Sequence, residues 1–380
     1  MRLKPLKLDK KDFDLFLQDV MIGYDLYAPV RLEEGVSVFR RIARPEEIDL
    51  DSPNPQKPAK EIFFPQSEAM FRFEKVEDRD RVTPTDEVKK PRLVLGARAC
   101  DIQAISLLDL VFLGKEYTDV YFLQKRQATT IIGFACNHPL TTCFCASTGG
   151  GPFAREGSDL FFIDLGDSYL VEPLTEKGKA IVQNRLFREA GQEEIALASE
   201  LEKKAAKKSD ASLPVEGIEK RLDEMVESRF WDRIHEKCIG CSVCTFLCPT
   251  CHCFDIVDEA VNDRGQRVRN WDTCLSSLYS LETSGHNPRP TGRERTRQRV
   301  MHKFSYFPKN FKKIACVGCG RWSLPAPGRH YPVGAAPDKG FRAGPGSRCP
   351  SVRPAPGSRN SHPARRTRRH ASQIRRAARP

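Results

Sequence analysis

The sequence of 380 residues lacks any run of about 18 apolar residues, which excludes a membrane-spanning helix. It also lacks the glycine-rich patterns G-x-G-x-x-G and G-x-x-x-x-G-K-[ST], so no nucleotide site is indicated. The motifs of zinc proteases and serine hydrolases, H-E-x-x-H and G-x-S-x-G, are missing as well. Residues 1–5 lead into charged residues rather than an apolar signal core, and we therefore expect a cytoplasmic protein.

Acidic and aliphatic residues are scarce in the last 60 positions. Residues 321–380 contain 14 lysines and arginines, one acidic residue, and four Leu, Ile and Val in total. The net charge of +12 therefore belongs to this tail, and the rest of the chain is nearly neutral. A segment with so few apolar residues cannot bury a core, and we predict that residues 322–380 are disordered. Charge confined to such a tail does not by itself indicate nucleic-acid binding.

Cysteine, in contrast, is abundant, with 14 residues. In a chain without an export signal this abundance favours metal or redox chemistry over a disulfide framework. The clearest pattern is C-x2-C-x2-C-x3-C-P, formed by Cys238, Cys241, Cys244, Cys248 and Pro249. This spacing is the ferredoxin run that binds 4Fe-4S clusters, whereas zinc sites usually use two cysteine pairs with a longer gap.

A second, incomplete copy of the run follows at Cys316 and Cys319. The register requires cysteines at positions 322 and 326, but the chain has Trp322 and Ala326, followed by the expected proline at position 327. In two-cluster ferredoxins the fourth cysteine of each run binds the other cluster. We therefore predict two 4Fe-4S clusters, each short of one thiolate: one on Cys238, Cys241 and Cys244, the other on Cys248, Cys316 and Cys319.

A shift of reading frame would explain why the second run lacks its last two cysteines. The string TGC GTC GCT GCC TGC CCC G encodes Cys-Val-Ala-Ala-Cys-Pro. Without its third base it encodes Trp-Ser-Leu-Pro-Ala-Pro, which is the sequence of residues 322–327. We interpret residues 322–380 as out of frame; the alternative is a native basic tail that binds nucleic acid or an acidic partner.

The N-terminal part alternates predicted strands (92–96, 129–135 and 159–165) with a predicted helix (100–112), which favours an α/β domain. Four cysteines follow strand ends or lie in the adjoining loop: Cys100, Cys136, Cys143 and Cys145. If they converge, they form a third iron–sulfur site; the alternative is that Cys100 and Cys136 are small core residues.

These patterns divide the chain into four segments. Residues 1–173 form the α/β domain, and residues 174–230, rich in Ala, Glu and Lys, form a helical connector. Residues 231–321 form a small ferredoxin-like α+β domain with the two clusters, and the tail follows. Between the runs, Cys251 and Cys253 are expected to pack near a cluster, and residues 289–299 to form a solvated helix or a docking surface for a partner.

Several segments resemble the iron–sulfur β subunits of cytoplasmic sulfhydrogenases and the related iron–sulfur subunit of anaerobic sulfite reductase. They are LYAPV (26–30), LGARACD (95–101), CFC (143–145), PTCHCFD (249–255), WDTC (271–274), GHNPRPT (285–291) and CVGCGR (316–321). The resemblance implies a non-catalytic subunit that relays electrons. Its implied partners are a flavin subunit that handles NAD(P)H and a catalytic hydrogenase or reductase subunit. The alternative is a zinc-binding scaffold, or a nucleic-acid-binding protein that uses the basic tail.

The reading-frame interpretation makes a direct prediction. Resequencing of the gene across codons 318–328 is expected to reveal one missing base, after which the frame restores cysteines at positions 322 and 326. An intact frame at these codons would contradict the interpretation and favour a native tail.

Overall fold

The computed structural model describes residues 4–33, 35–77, 79–85, 88–209 and 213–321, and apolar runs form the central strands of its larger sheet. The strands are β1 Leu6–Asp9, β2 Asp25–Arg31, β3 Ser37–Arg41, β4 Ser67–Val76, β5 Arg79–Pro84, β6 Arg92–Arg98, β7 Thr129–Phe134, β8 Leu160–Asp164, β9 Ser168–Pro173, β10 Arg188–Glu189, β11 Phe254–Val261 and β12 Arg264–Trp271. The helices are α1 Phe13–Gly23, α2 Ala99–Phe112, α3 Val120–Gln127, α4 Glu176–Ile181, α5 Gln192–Lys208, α6 Ile218–Glu224, α7 Phe230–His235, α8 Val243–Phe246, α9 Gly292–Met301 and α10 Phe307–Phe311. The disorder predicted for residues 322–380 lies outside the described residues.

An eight-stranded mixed sheet, in the order β10-β1-β9-β8-β7-β6-β2-β3, forms the larger layer. Its central strands β2, β6, β7 and β8 are parallel, and the flanking strands pair antiparallel. Strand β7 is buried along its whole length, as expected for a parallel strand covered on both faces. The predicted strands at 92–96, 129–135 and 159–165 and the predicted helix at 100–112 are thereby confirmed.

The parallel pairing of β6 and β7 determines where the first cysteines lie. Arg98 at the end of β6 is opposite Phe134 at the end of β7. Cys100 follows β6 in the first turn of α2, and Cys136 follows β7 by two residues. Because carboxyl ends of parallel strands meet at one edge of a sheet, both thiols are brought to the same edge.

A second, four-stranded antiparallel sheet has the order β11-β12-β4-β5. Strand β12 pairs with β4 over most of its length, so a hairpin from residues 254–271 extends a hairpin from residues 67–84. Nothing in the sequence pattern pointed to this pairing. The described residues all lie in one unit of the chain, residues 1–334, and the division into segments at 173 and 230 stays a prediction.

The predicted helical connector, residues 174–230, contains α4, α5 and α6, of which α5 is the longest. Trp231 of α7 and Met301 of α9 are fully buried against Leu222 of α6. These helices support the loop that carries the first cysteine run. None of the helices in the described part of the chain is long and apolar enough to cross a membrane.

The second sheet is anchored by a buried arginine. The Arg269 side chain is 1% exposed and forms ion pairs with Glu68, at 2.5 Å, and with Asp119. Its guanidinium also lies 5.1 Å from the ring centroid of Phe64. These contacts join β12 to β4 and to the start of α3. The pairing of strands from distant parts of the chain therefore depends on a charge network.

We expect Arg269→Ala to lower the free energy of unfolding by about 3 kcal/mol. Asp119 loses its ion-pair partner, and Glu68 keeps only Lys125. Arg267→Ala, on the same strand, is the matched control. Arg267 is 43% exposed and pairs with Asp258 at 2.7 Å, so its loss should change the stability far less than the loss of Arg269. Urea unfolding of both variants measures the difference, and equal losses would show that the buried network is not the anchor.

Candidate metal centre

The first cysteine run forms a loop around the one-turn helix α8. The backbone of Gly240 has φ +70° and that of Ser242 φ +61°, so two left-handed turns fold the loop back on itself. Burial raises the pKa of the Cys244 thiol, the Arg299 guanidinium lowers it, and the nearby thiols of Cys238, Cys248 and Cys241 raise it further. The three thiols of the predicted first cluster are therefore neighbours, with Cys241 exposed at the surface.

The fourth cysteine of that run, Cys248, lies near Cys244 and also faces the second run. Cys248 is 9% exposed, and its sulfur lies 3.2 Å from the hydroxyl of Thr250. That hydroxyl donates a 2.7 Å hydrogen bond to the carbonyl of Ala315, next to Cys316. Burial raises the pKa of Cys316 to about 11, and the Cys248 thiolate contributes to the rise. This arrangement matches the crosswise pattern expected for a two-cluster ferredoxin.

Three buried cations in the described part of the chain lie close to the thiols of Cys248, Cys251 and Cys316. Lys303 donates hydrogen bonds to Thr250 Oγ1 at 2.7 Å and to the carbonyl of Ala315 at 3.0 Å. Lys60 donates to the carbonyl of Cys251 at 2.9 Å. Arg299 reaches the Cys251 sulfur at 3.3 Å and the carbonyl of Cys244 at 2.6 Å.

The charge of these cations requires a compensating anion. Among the described residues, no carboxylate lies within ion-pair distance of Lys60 or Lys303. Burial lowers the pKa of Lys60 to about 8. Burial alone would also lower the pKa of Lys303, but the negative charge of the hydrogen-bonded pair Cys248 and Cys251 outweighs it and raises that pKa. Buried charges are retained when a partner of opposite sign offsets their desolvation, and thiolates are the anions available here.

Four cysteines of the N-terminal part line one cavity, as the sequence predicted they could. The cavity wall contains Cys100, Cys136, Cys143 and Cys145, and Cys319 of the second run completes it. Arg98 also lines the cavity. Its Nε is buried and has no hydrogen-bond partner among the described residues. An unpaired buried N–H donor beside a thiol-lined cavity fits an acceptor such as a cluster sulfide.

The thiols of this cavity are poor nucleophiles. Burial raises the pKa of Cys100 strongly, that of Cys143 to about 12 and that of Cys145 to about 11. Burial therefore favours the protonated, less nucleophilic form of these thiols. Binding of iron would displace these protons, because metals bind the thiolate form.

The donor sets suit iron–sulfur clusters in their chemistry, since they combine several thiols with nearby cations and N–H donors. In the part of the chain that the structure describes, no three His, Cys, Asp or Glu side chains meet closely enough for one metal ion. Zn–S bonds of ~2.3 Å hold sulfurs about 3.8 Å apart. Thiolates of a cluster bind different irons and therefore lie further apart than the ligands of one metal ion.

The sequence analysis did not predict the buried cations, or that Cys319 lies beside the N-terminal thiols. The expectation that residues 289–299 form a solvated helix or docking surface is wrong for Arg299, which is 9% exposed and contacts Cys251. A usable signal was present: Thr296, Arg299 and Lys303 are three and four residues apart and share one buried helical face. No pattern in the sequence pointed to Cys319 as a neighbour of the N-terminal thiols.

Two comparisons with known proteins bear on this site. Residues 237–327 match the family profile described as a 4Fe-4S dicluster domain. The chain is also 34% identical over 330 residues to subunit beta of sulfhydrogenase 2 from Pyrococcus furiosus. That alignment covers 86% of this chain and 96% of the relative. No solved structure matches the chain significantly.

The exposures predict an order of thiol reactivity in the metal-free protein. Cys241, which is exposed, should be alkylated by iodoacetamide first, and Cys145 and Cys316, which are buried with raised pKa values, last. We expect a difference of roughly tenfold or more in rate, since the exposed thiolate is the reacting form. Peptide mass spectrometry under anaerobic conditions measures it, and equal rates would contradict the described burial.

Proposed function

Since this chain belongs to the family of sulfhydrogenase β subunits, we propose that it is the electron-transfer iron–sulfur subunit of an oxidoreductase complex. The observation that carries the proposal is the crosswise meeting of the two cysteine runs around Cys248, beside buried cations. A 4Fe-4S cluster supplies reversible one-electron chemistry when bound. The chain itself forms and breaks no substrate bonds in this proposal.

The ferredoxin runs hold two clusters in this proposal. Cys238, Cys241 and Cys244 ligate one, and Cys248, Cys316 and Cys319 the other. Lys303 and Arg299 offset the negative charge of the thiolates, and their fixed positive charge favours addition of an electron. Burial of Cys248 and Cys316 keeps water from the second site and strengthens these interactions.

The cavity of the N-terminal part holds a third cluster in this proposal, on Cys100, Cys136, Cys143 and Cys145. The support is their convergence in one wall together with the unpaired Nε of Arg98. The edge of the parallel sheet holds Cys100 and Cys136 in place, and the loop before Pro152 supplies the other two. Arg98 is held by hydrogen bonds to the carbonyls of Ala135 and Leu50, at 2.9 and 2.8 Å.

The relative is by its name a subunit of a larger enzyme, and we propose that this chain too works within a complex. The partners proposed are a flavin subunit that handles NAD(P)H and a hydrogenase or sulfur or sulfite reductase subunit. The loop of the first run offers a contact site, since Cys241 is exposed and Ile239 beside it is 72% exposed. The genes adjacent to this one distinguish the catalytic partners, and location in the cytoplasm stays a prediction.

Spectroscopy of the reconstituted chain and of three single variants tests the proposal. Anaerobically reconstituted protein should be brown, absorb broadly near ~400 nm and give a paramagnetic resonance signal after dithionite reduction. Cys244→Ser should remove one component of this signal and Cys145→Ser another. Cys349→Ser, in the segment interpreted as out of frame, should keep both.

The truncated second run limits the iron content. The double variant Cys244→Ser/Cys316→Ser should lose fewer than about eight irons relative to the unaltered chain, because each ferredoxin cluster lacks one thiolate. A loss of about eight irons would contradict the missing ligands. Colourless protein that binds zinc and shows no resonance would overturn the electron-transfer role and favour the zinc scaffold.

A further inference from the structure

The end of the second cysteine run is inserted into the N-terminal part of the chain. The amide of Phe144 donates a 2.9 Å hydrogen bond to the carbonyl of Gly318. The side-chain amide of Asn54 donates one of 2.5 Å to the carbonyl of Cys319. Gly318 has φ +58°, and a Cβ there would lie 2.5 Å from the backbone of Phe144. Only glycine permits this close approach, so the segment is seated tightly.

Cys319 consequently has two sets of neighbours. Its side chain lines the cavity of the N-terminal thiols, and its carbonyl lies 3.7 Å from the sulfur of Cys143. It is also the second cysteine of the second run, three residues after Cys316. The same cysteine therefore adjoins both the N-terminal site and the second ferredoxin site.

One buried ion pair spans the two elements that carry these sites. Arg321 Nη2 lies 2.7 Å from Asp101 Oδ2, with side-chain exposures of 0% and 1%. Arg321 Nε also donates a 2.7 Å hydrogen bond to the carbonyl of Pro55. Asp101 follows Cys100 directly, and Arg321 lies two residues after Cys319. Separation of the pair would leave a buried charge without its partner, which strongly favours the docked segment.

We propose that Asp101 and Arg321 are positioning residues that hold Cys319 against the N-terminal thiols and so join the two sites into one electron path. This inference rests on the proposed function. The step is a single-electron transfer: one site is oxidised by one electron, the other is reduced by one, and no bond or proton changes. An electron would then pass from the site of the first run to that of the second run and on to the N-terminal cavity, or in the opposite direction.

The positioning role is tested first without clusters. In the full metal-free chain, Asp101→Asn should raise the alkylation rate of Cys319 about tenfold or more, because labelling of a buried thiol requires local opening. Cys316 and Cys248 should stay protected, since Thr250 still anchors them through Ala315. Asp101→Glu, which retains the carboxylate, should restore part of the protection.

The matched control is Asp109→Asn on the same helix. Asp109 pairs with Arg126 at 3.1 Å and is 26% exposed, and its loss should leave Cys319 protected. Unchanged labelling of Cys319 in Asp101→Asn would overturn the inference. Exposure of Cys316 and Cys248 together with Cys319 would also overturn it, because the pair would then only stabilise the fold.

The electron path is tested in the reconstituted full chain. After dithionite reduction, the unaltered protein should show spin–spin broadening between the N-terminal and ferredoxin centres. Asp101→Asn should lose this broadening while its iron content stays the same. Broadening that persists in Asp101→Asn would overturn the path. If the unaltered chain bound no iron at all, the proposed function would fail, whereas the labelling result would still decide the positioning role.

Discussion

The pairing of buried sulfur with buried positive charge is the constraint on which this molecule depends. Lys60, Arg299 and Lys303 lie in the interior near cysteine side chains, and burial of either charge alone would be unfavourable. Because these cations come from distant parts of the sequence, their shared need for an anion holds those parts together. The electrostatics of the site and the stability of the fold therefore depend on the same contacts.

The two sheets show how the fold meets this constraint. The parallel strands β6 and β7 place Cys100 and Cys136 at one edge, and the second sheet joins residues 67–84 to residues 254–271. Lys60 precedes the first of these hairpins and reaches the carbonyl of Cys251 just before the second. The cluster-binding loops are thus supported from the N-terminal half of the chain.

Local patterns predicted local features well. The apolar runs identified β6, β7, β8 and α2, and the spacing of cysteines identified the ferredoxin runs. What the sequence could not supply were contacts between distant segments, such as β12 with β4 or Cys319 with Cys143. These depend on packing in three dimensions, which spacing along the chain does not encode. The burial of Arg299 was predictable only in part. Helical periodicity places it on a buried face, but a charged side chain is usually exposed.

The insertion of residues 316–321 beside residues 142–145 has a consequence for how the protein is made. More than half of the chain is synthesised between Cys100 and Cys319. The N-terminal thiols therefore leave the ribosome well before Cys319, which completes the lining of their cavity, has been synthesised. Contacts of such large sequence separation form late in folding. A cluster of the kind proposed for this pocket would therefore be assembled either on an unfinished chain with open thiols or on a finished chain that is already closed.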